Sequence, residues 1–428
     1  MIRIIDVKDA EAKEIFFRGE ERTAEEVEKA VRAILDDVKE NGDDAVIRYT
    51  EKFDGVKLSA LRVTEEEIDE AFNKADGFFV ESLKKAAENI SAFHSKQKRD
   101  GFEFSGGDGI ILGQRVMPLA AVGIYVPGGT ASYPSTVLMN AIPAKIAGVS
   151  RIVMVTPAKK DGKIPSDILA AAKIAGVTDI YKCGGAQAVA ALAYGTKSVP
   201  KVDKIVGPGN IFVATAKRMV FGLVDIDMIA GPSEILVVAD AKANPVWLAA
   251  DMLSQAEHDK LASAVLVCDN LDLAQKTANE IERQLKLLPR EEIARAAIEN
   301  NSKIIVAENI EKGIDIANEI APEHLELCVE DPFALLDKVK NAGSVFMGYN
   351  CPEALGDYWA GPNHTLPTSG TARFSSPLSV DEFVKRSSYM CYSREALGKV
   401  KDNIADLARH EGLDAHGKSV TIRFEEEA

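Results

Sequence analysis

Near the start of the chain, apolar residues fall at helical spacing. Val27, Ala30, Val31, Ile34 and Val38 follow Thr23-Ala-Glu-Glu26, a capping-box pattern in which threonine and a glutamate three residues on satisfy each other's backbone donors. Asn41-Gly42 predicts the end of that helix. Thr64 to Glu67 repeats the capping pattern, and Ile68, Ala71 and Phe72 begin the apolar face of a helical stretch reaching towards Phe93. From about Leu119 short apolar runs alternate with helical segments. Residues 121–126, 151–156, 179–183 and 204–206 read as strands, with helices after Pro134, Ser166, Gly185 and Asn210. The alternation then restarts. Residues 234–239, 263–268, 303–307, 325–329 and 344–347 read as strands, with helices near Pro245, Leu271, Asn309 and Asp331. This pattern predicts an α/β protein with two units of parallel sheet and crossover helices.

The stretch 347–377, rich in glycine and proline, has no periodicity and is long for a connector, which predicts a functional loop. Ser379 with Glu382, and then Ser393, are expected to open two helices, and 419–423 a closing strand. The last fifty residues are too few for an independent core and are expected to dock on another surface.

Composition narrows the functional classes. The 428 residues, at roughly 100–200 per domain, predict two to four domains. With 46% hydrophobic and 27% charged residues, the chain is neither a disordered segment nor a disulfide scaffold. A net charge of −15 opposes attraction to nucleic acid or an anionic membrane and points to a small-molecule partner. No apolar run approaches the roughly 18 residues of a membrane span, and the charged start MIRIIDVKDAEAKE is unlike a signal peptide, so a cytoplasmic protein is expected. Cys183, Cys268, Cys328, Cys351 and Cys391 are odd in number and lack a CxxC pair, and are read as reduced packing residues.

Parallel α/β units bind ligands at the carboxyl ends of strands, near helix N-termini. Three strand-end turns qualify: Tyr125-Val-Pro-Gly-Gly129, Gly184-Gly185 with Gln187 just beyond, and Gly207-Pro-Gly209-Asn210. The last begins as GxGxx but ends in Phe212, so each is either a ligand loop or plain punctuation. Among the six histidines, His258 shares a helix face with Gln255, which gives either a zinc-binding pair or a histidine on the helix dipole. Glu323-His324, in a turn before an apolar strand, is either an acid/base pair or an exposed polar turn. Asp357 and His364 lie in a glycine-rich loop, and Glu411 and His416 flank a turn near the C-terminus. His94 and His410 read as surface residues in charged helices. No HExxH occurs. The residues themselves leave a zinc hydrolase and a nucleotide-dependent enzyme equally open.

Along almost its whole length the chain resembles the histidinol dehydrogenase family. The resemblance lies in Tyr125-Val-Pro-Gly-Gly, Gly184-Gly-Ala-Gln-Ala, Val206-Gly-Pro-Gly-Asn210, the blocks from Asp227 to Glu234 and Ser254 to His258, Ala321 to Glu326, Gly356 to His364, Thr371 to Ser379 and Glu411 to His416. Phe212, where the family often has tyrosine, is a mild departure. The resemblance implies two incomplete Rossmann-like domains with parallel sheets, and small N-terminal and C-terminal helical segments for dimerisation. The implied parts are an arm (1–22), a first domain (23–120 with 234–378) carrying zinc and the catalytic residues, a second (121–233) contacting NAD, and a segment (379–428) reaching the partner's site. It implies a homodimer that oxidises L-histidinol to L-histidine through histidinaldehyde, with one zinc per site and two NAD in succession. Gln255, His258, Asp357 and His416 then match the zinc ligands, and Glu323 and His324 the catalytic pair. Ser233, His324 and Glu411 match substrate contacts, shared with the four ligand residues, and Tyr125, Gln187 and Asn210 match NAD contacts. A zinc hydrolase in which Glu323 activates water, without NAD, is the rival expectation.

Overall fold

A computed structural model describes residues 1–8, 15, 24–128 and 132–425 of the chain. Thr23 of the first capping pattern, most of the expected arm and Gly129 lie outside the described residues. The strands in chain order are β1 (Arg3–Asp6), β2 (Phe102–Gly107), β3 (Ile110–Pro118), β4 (Ala121–Tyr125), β5 (Arg151–Thr156), β6 (Asp179–Lys182) and β7 (Lys204–Val206). They continue as β8 (Asp225–Ile226), β9 (Glu234–Ala239), β10 (Ser263–Cys268), β11 (Lys303–Val306), β12 (His324–Cys328), β13 (Ser344–Met347) and β14 (Val384–Tyr392).

Two parallel sheets carry the larger unit, residues 1–97 with 119–383. One runs β6-β5-β4-β7-β8 and the other β1-β11-β10-β9-β12-β13. Their central strands are continuous apolar runs because helices cover both faces. Ile235, Val237 and Leu266 of the six-stranded sheet enter one apolar cluster, and Leu236, Val238 and Val267 enter another. That split is the strand's two-residue alternation.

Several expectations need correction. The break expected at Asn41-Gly42 is present, but no loop follows it: Gly42, at φ 53° and ψ −130°, separates two helices that together span Ala24–Asp54. The helical stretch after Thr64 is two helices, Glu65–Lys74 and Gly77–Ser95, because Asp76 caps a new start. The capping box at Thr64 and Glu67 is present, with both reciprocal hydrogen bonds. These helices, expected to join 234–378 in one domain, pack on the five-stranded sheet: Val31, Leu35, Val38, Leu83 and Ile90 cluster with Val122, Ile124 and Val153, and with Leu378. Within the expected arm, β1 joins the six-stranded sheet, pairing Ile4 with Ile304 and Ile5 with Ile305. His94 is fully buried, its Nδ1 2.7 Å from Gln97 Oε1. Among the cysteines, Cys183, Cys268 and Cys328 pack in the interior, whereas Cys391 is exposed.

A smaller unit, residues 98–118 with 384–428, contains the antiparallel sheet β14-β3-β2 and the helices Arg394–His410 and Asp414–Thr421. Here Ser379 opens no α-helix. A short 3-10 turn, Val380–Phe383, leads into β14, which pairs with β3 from Val384 opposite Pro118 to Tyr392 opposite Ile110. The expected strand 419–423 is the end of Asp414–Thr421 followed by the 3-10 turn Ile422–Phe424. Alternating Val420 and Ile422 mimic a strand over a run too short to discriminate. Among the described residues no helix is long and apolar enough to cross a membrane.

Candidate active site

The helix Ile310–Ile320 ends at Ala321, buried in the left-handed region at φ 52°. That conformation costs a non-glycine residue roughly 1–2 kcal/mol, and it turns the chain through Pro322 into Glu323 and the start of β12 at His324. The main chain of Glu234, at the start of neighbouring β9, grips both side chains. Its N–H donates to Glu323 Oε2 at 2.9 Å, and its carbonyl lies 2.9 Å from His324 Nδ1. A carbonyl only accepts, so Nδ1 carries the hydrogen and Nε2 is the free basic nitrogen in the neutral ring. Ser233 immediately precedes this clamp and is half-buried. The pair thus sits at the amino-terminal edge of the six-stranded sheet, opposite to the carboxyl edge where parallel sheets usually hold ligands.

Facing His324 is a short helical stretch inside the expected loop 347–377. Glu353–Leu355 runs into five residues of π-helix, Gly356–Ala360, a geometry frequent at functional sites. Glu353 Oε1 and Asp357 Oδ1 each lie 3.8 Å from His324 Nε2, within ion-pair range but too far for a hydrogen bond. His364 Nδ1 is 3.9 Å from Asp357 Oδ1, and its Nε2 is 3.4 Å from Thr136 Oγ1 on the helix Pro134–Ala147. From the helix Pro245–Ala256 come Gln255, buried, and just past its end His258. Gln255 lies against the Glu353 carboxyl, and His258 feels the charge of Asp357.

These groups share one electrostatic problem. Burial pushes the Glu323 carboxyl up to about 7 and, with Asp357 nearby, Glu353 up to about 8. Burial also opposes charge on His324, but Glu323, Asp357 and Glu353 outweigh it and raise its pKa to about 10. Asp357, despite its burial, is held well below the carboxylate range by His324 and His364. Burial lowers His258 and His364 and keeps them neutral, the form that ligates metals.

The residues fit a zinc ion. Gln255 Oε1, His324 Nε2 and Glu353 Oε1 are buried without hydrogen-bond partners, so the pocket leaves several acceptors unsatisfied where a cation would satisfy them. The tightest grouping is His324, Glu353 and Asp357. Of the four ligands that the resemblance implies, Gln255, His258 and Asp357 surround this pocket. His416 belongs to the smaller unit, exposed on its last helix, and Glu411 is exposed at the end of the preceding one.

The strand-end turns of the five-stranded sheet form a second feature. The buried Tyr125 hydroxyl accepts the Gly185 N–H at 3.0 Å, and Gln187 is buried with Oε1 unpartnered. Gly207 adopts φ +110°, and a Cβ there would stand 2.2 Å from the Tyr125 carbonyl, so only glycine permits the turn. Asn210 is exposed and spends its Oδ1 capping the next helix through the Phe212 and Val213 N–H groups, leaving its Nδ2 for a ligand. A buried ion pair, Lys217 with Asp227, holds the Gly207 peptide from both sides. Lys217 Nζ donates to the Gly207 carbonyl at 2.9 Å, and Asp227 accepts the Gly207 N–H at 2.8 Å. The orphaned amide and the side-chain-free turn fit a dinucleotide's polar backbone.

Comparison with known proteins decides between the readings left open by the residues. The family profile described as histidinol dehydrogenase matches residues 18–424. The chain belongs to the histidinol dehydrogenase family. A histidinol dehydrogenase of Listeria monocytogenes is 58% identical over 402 residues, covering 94% of each chain. That of Clostridium acetobutylicum is 54% identical over 427 residues, covering 99% of each. The crystal structure of histidinol dehydrogenase from Elizabethkingia anophelis superposes with a TM-score of 0.93 at 38% identity, covering 99% of this chain and 98% of that one. Histidinol dehydrogenase is an oxidoreductase, and nothing among these relatives supports the hydrolase alternative.

Sequence reading of this histidinol dehydrogenase site misses Glu353 and the Glu234 main chain. Glu353 had a signal, since it stands four residues before Asp357 and the two share a helical face. The Glu234 clamp had none, because a backbone contact 90 residues away in sequence leaves no trace in residue type.

Proposed function

We propose that the chain is a cytoplasmic enzyme of histidine biosynthesis that oxidises L-histidinol to L-histidine through L-histidinaldehyde. We further propose that it does so as a homodimer, using zinc and NAD. The observation that carries the reading is the Glu234 clamp on Glu323 and His324. It leaves His324 Nε2 unpartnered in the same site as the unsatisfied Gln255 Oε1 and Glu353 Oε1, with the Glu323 carboxyl held beside it. When bound, zinc supplies a redox-inert anchor for the substrate's imidazole and amine, and NAD supplies the hydride acceptor. Gln255, His258 and Asp357 would hold the metal, with His416 from a second copy as the fourth ligand.

His324 Nε2 takes the proton of the substrate hydroxyl in the alcohol step. Its Nδ1–H stays on the Glu234 carbonyl, so the ring neither rotates nor changes tautomer. With a divalent ion and a cationic substrate bound, His324 would no longer be held charged by the three carboxylates and would serve as the neutral base. Glu323, poised near neutrality, accepts a proton from the water that adds to the aldehyde. Once its first proton has passed to solvent, His324 takes the hydrate's proton in the second oxidation. Ser233 orients the substrate beside the clamp, and Glu411 of a second copy pairs with its cationic end. Tyr125, Gln187 and Asn210 contact NAD at the turns of the five-stranded sheet.

Adding histidinol and NAD to the enzyme should raise absorbance at the NADH band. A chelator should abolish the signal with little loss of helical ellipticity, and zinc should restore it. Absence of NADH formation, or turnover indifferent to metal removal, would contradict the proposal.

A further inference from the structure

Behind the site lies a second pair of carboxyls, one buried and one half-buried, that neither the catalytic pair nor the zinc ligands require. Glu326 stands two residues past His324 on β12, on the same face of the strand, and is buried. Its Oε1 accepts the Glu353 N–H at 2.7 Å. At the head of the stretch carrying Glu353 and Asp357 that N–H has no partner within the helix, and Pro352 at the cap position offers it no side chain, so Glu326 supplies the acceptor. The remainder of the Glu326 carboxyl faces Asp251, the two carboxylates and the Cys328 sulfur each placing one atom within 4.8 Å of the others, and the Cys328 thiol lies 3.9 Å from Oε2. Asp251 lies one turn before Gln255 on the helix Pro245–Ala256. From the same helix Ser254 Oγ reaches Glu353 Oε2 at 3.2 Å.

We infer that Glu326 and Asp251 share one proton and act as a positioning clamp, tying the strand of His324, the helix of Gln255 and His258, and the turn of Asp357 into one rigid frame. The chemistry follows from the proximity: two carboxylates with oxygens within 4.8 Å, one of them buried, resist ionising together, so one keeps a proton that it shares with the other. Burial raises both carboxyls, and the proton is placed on Glu326, the more deeply buried of the two. Its carbonyl oxygen then serves Glu353, and its O–H serves Asp251. The inference rests on the proposed zinc site only for its consequence; the clamp itself is a property of the metal-free chain.

Glutamine reproduces a protonated glutamate, with an oxygen to accept and an amide to donate, whereas alanine removes both bonds. Two measurements separate the clamp from the metal reading. In the metal-free protein, hydrogen exchange over 353–357 should quicken by roughly tenfold in Glu326→Ala and stay close to wild type in Glu326→Gln. In the zinc-loaded protein, release to a chelator should quicken by roughly ten- to a hundredfold in Glu326→Ala, again with rescue by Glu326→Gln. A residue with a merely structural part would lower the melting temperature without this rescue pattern. If Glu326→Ala does not fold, Glu326→Asp, one methylene short of Glu353, carries the same expectation. Unchanged exchange in the truncated variants, or exchange in Glu326→Gln as fast as in Glu326→Ala, overturns the clamp. A second tightly held zinc, lost in Glu326→Gln, also overturns it. A wild-type chain that binds no zinc fails the metal reading alone, and exchange still decides the clamp.

Discussion

The substitution Glu323→Gln should stabilise the metal-free protein while crippling it as an enzyme. Glu323 is buried and accepts the Glu234 N–H, and burial lifts its pKa from 4.5 to about 7. A carboxyl whose folded-state pKa lies above its unfolded value favours folding while protonated. Its contribution is intact below the unfolded pKa and is lost as pH rises through about 7. At about 1.4 kcal/mol per pKa unit, ionising it in place costs roughly 3 kcal/mol near pH 8 and about 1 kcal/mol near pH 5. Glutamine keeps the acceptor oxygen for Glu234 and never ionises, so it escapes that cost. The test compares thermal unfolding of metal-free wild type and Glu323→Gln at the two pH values. The variant should unfold several degrees higher near pH 8, with most of the gap closing near pH 5. An equal or lower unfolding temperature near pH 8 would refute the claim that a buried, partly ionised carboxyl sits at Glu323.

Three further outcomes follow from the site and its surroundings. Glu323→Gln should slow aldehyde oxidation more than alcohol oxidation, whereas His324→Asn should impair both; single-turnover assays started from histidinol and from histidinaldehyde would show it, and equal losses in Glu323→Gln would sink the division of labour. His258→Ala and His416→Ala homodimers should each be nearly inactive, yet random subunit exchange should recover roughly a quarter of wild-type activity, because mixed dimers hold one intact site; no recovery after verified exchange would exclude a shared site. Lys217→Met leaves Asp227 buried and uncompensated, which should cost about 3–5 kcal/mol of stability and raise KM for NAD more than KM for histidinol; an unchanged ratio of the two constants would separate the Gly207 turn from NAD.

The sequence carried the parallel sheets because strands buried on both faces are unbroken apolar runs: 151–156, 204–206, 234–239, 263–268 and 344–347 coincide with observed strands. It concealed β2, β3 and β14, whose exposed residues and glycines give neither an apolar run nor a clean alternation, and whose pairing joins segments far apart in the chain. Association of the early helices with the five-stranded sheet was equally hidden. An amphipathic face such as that of Val31, Leu35 and Val38 states that a helix is buried, not against what. Of the site, His258, Glu323, His324 and Asp357 stood out as scarce histidines and adjacent carboxylates. His94 has the same side chain and packs instead in the interior between Gln97 and Asn363, so residue type alone does not rank histidines. What the sequence could not carry is the Glu234 clamp, which fixes the His324 tautomer through main-chain atoms.

The central claim is that one pocket, with His324 as base and Glu323 activating water, takes a primary alcohol through two successive oxidations. Limiting histidinol with excess NAD and zinc-loaded enzyme measures it directly, by counting NADH formed per histidinol consumed and identifying the product. Two NADH and one histidine per histidinol are expected. One NADH with accumulating aldehyde, or consumption of histidinol without NADH, would contradict it.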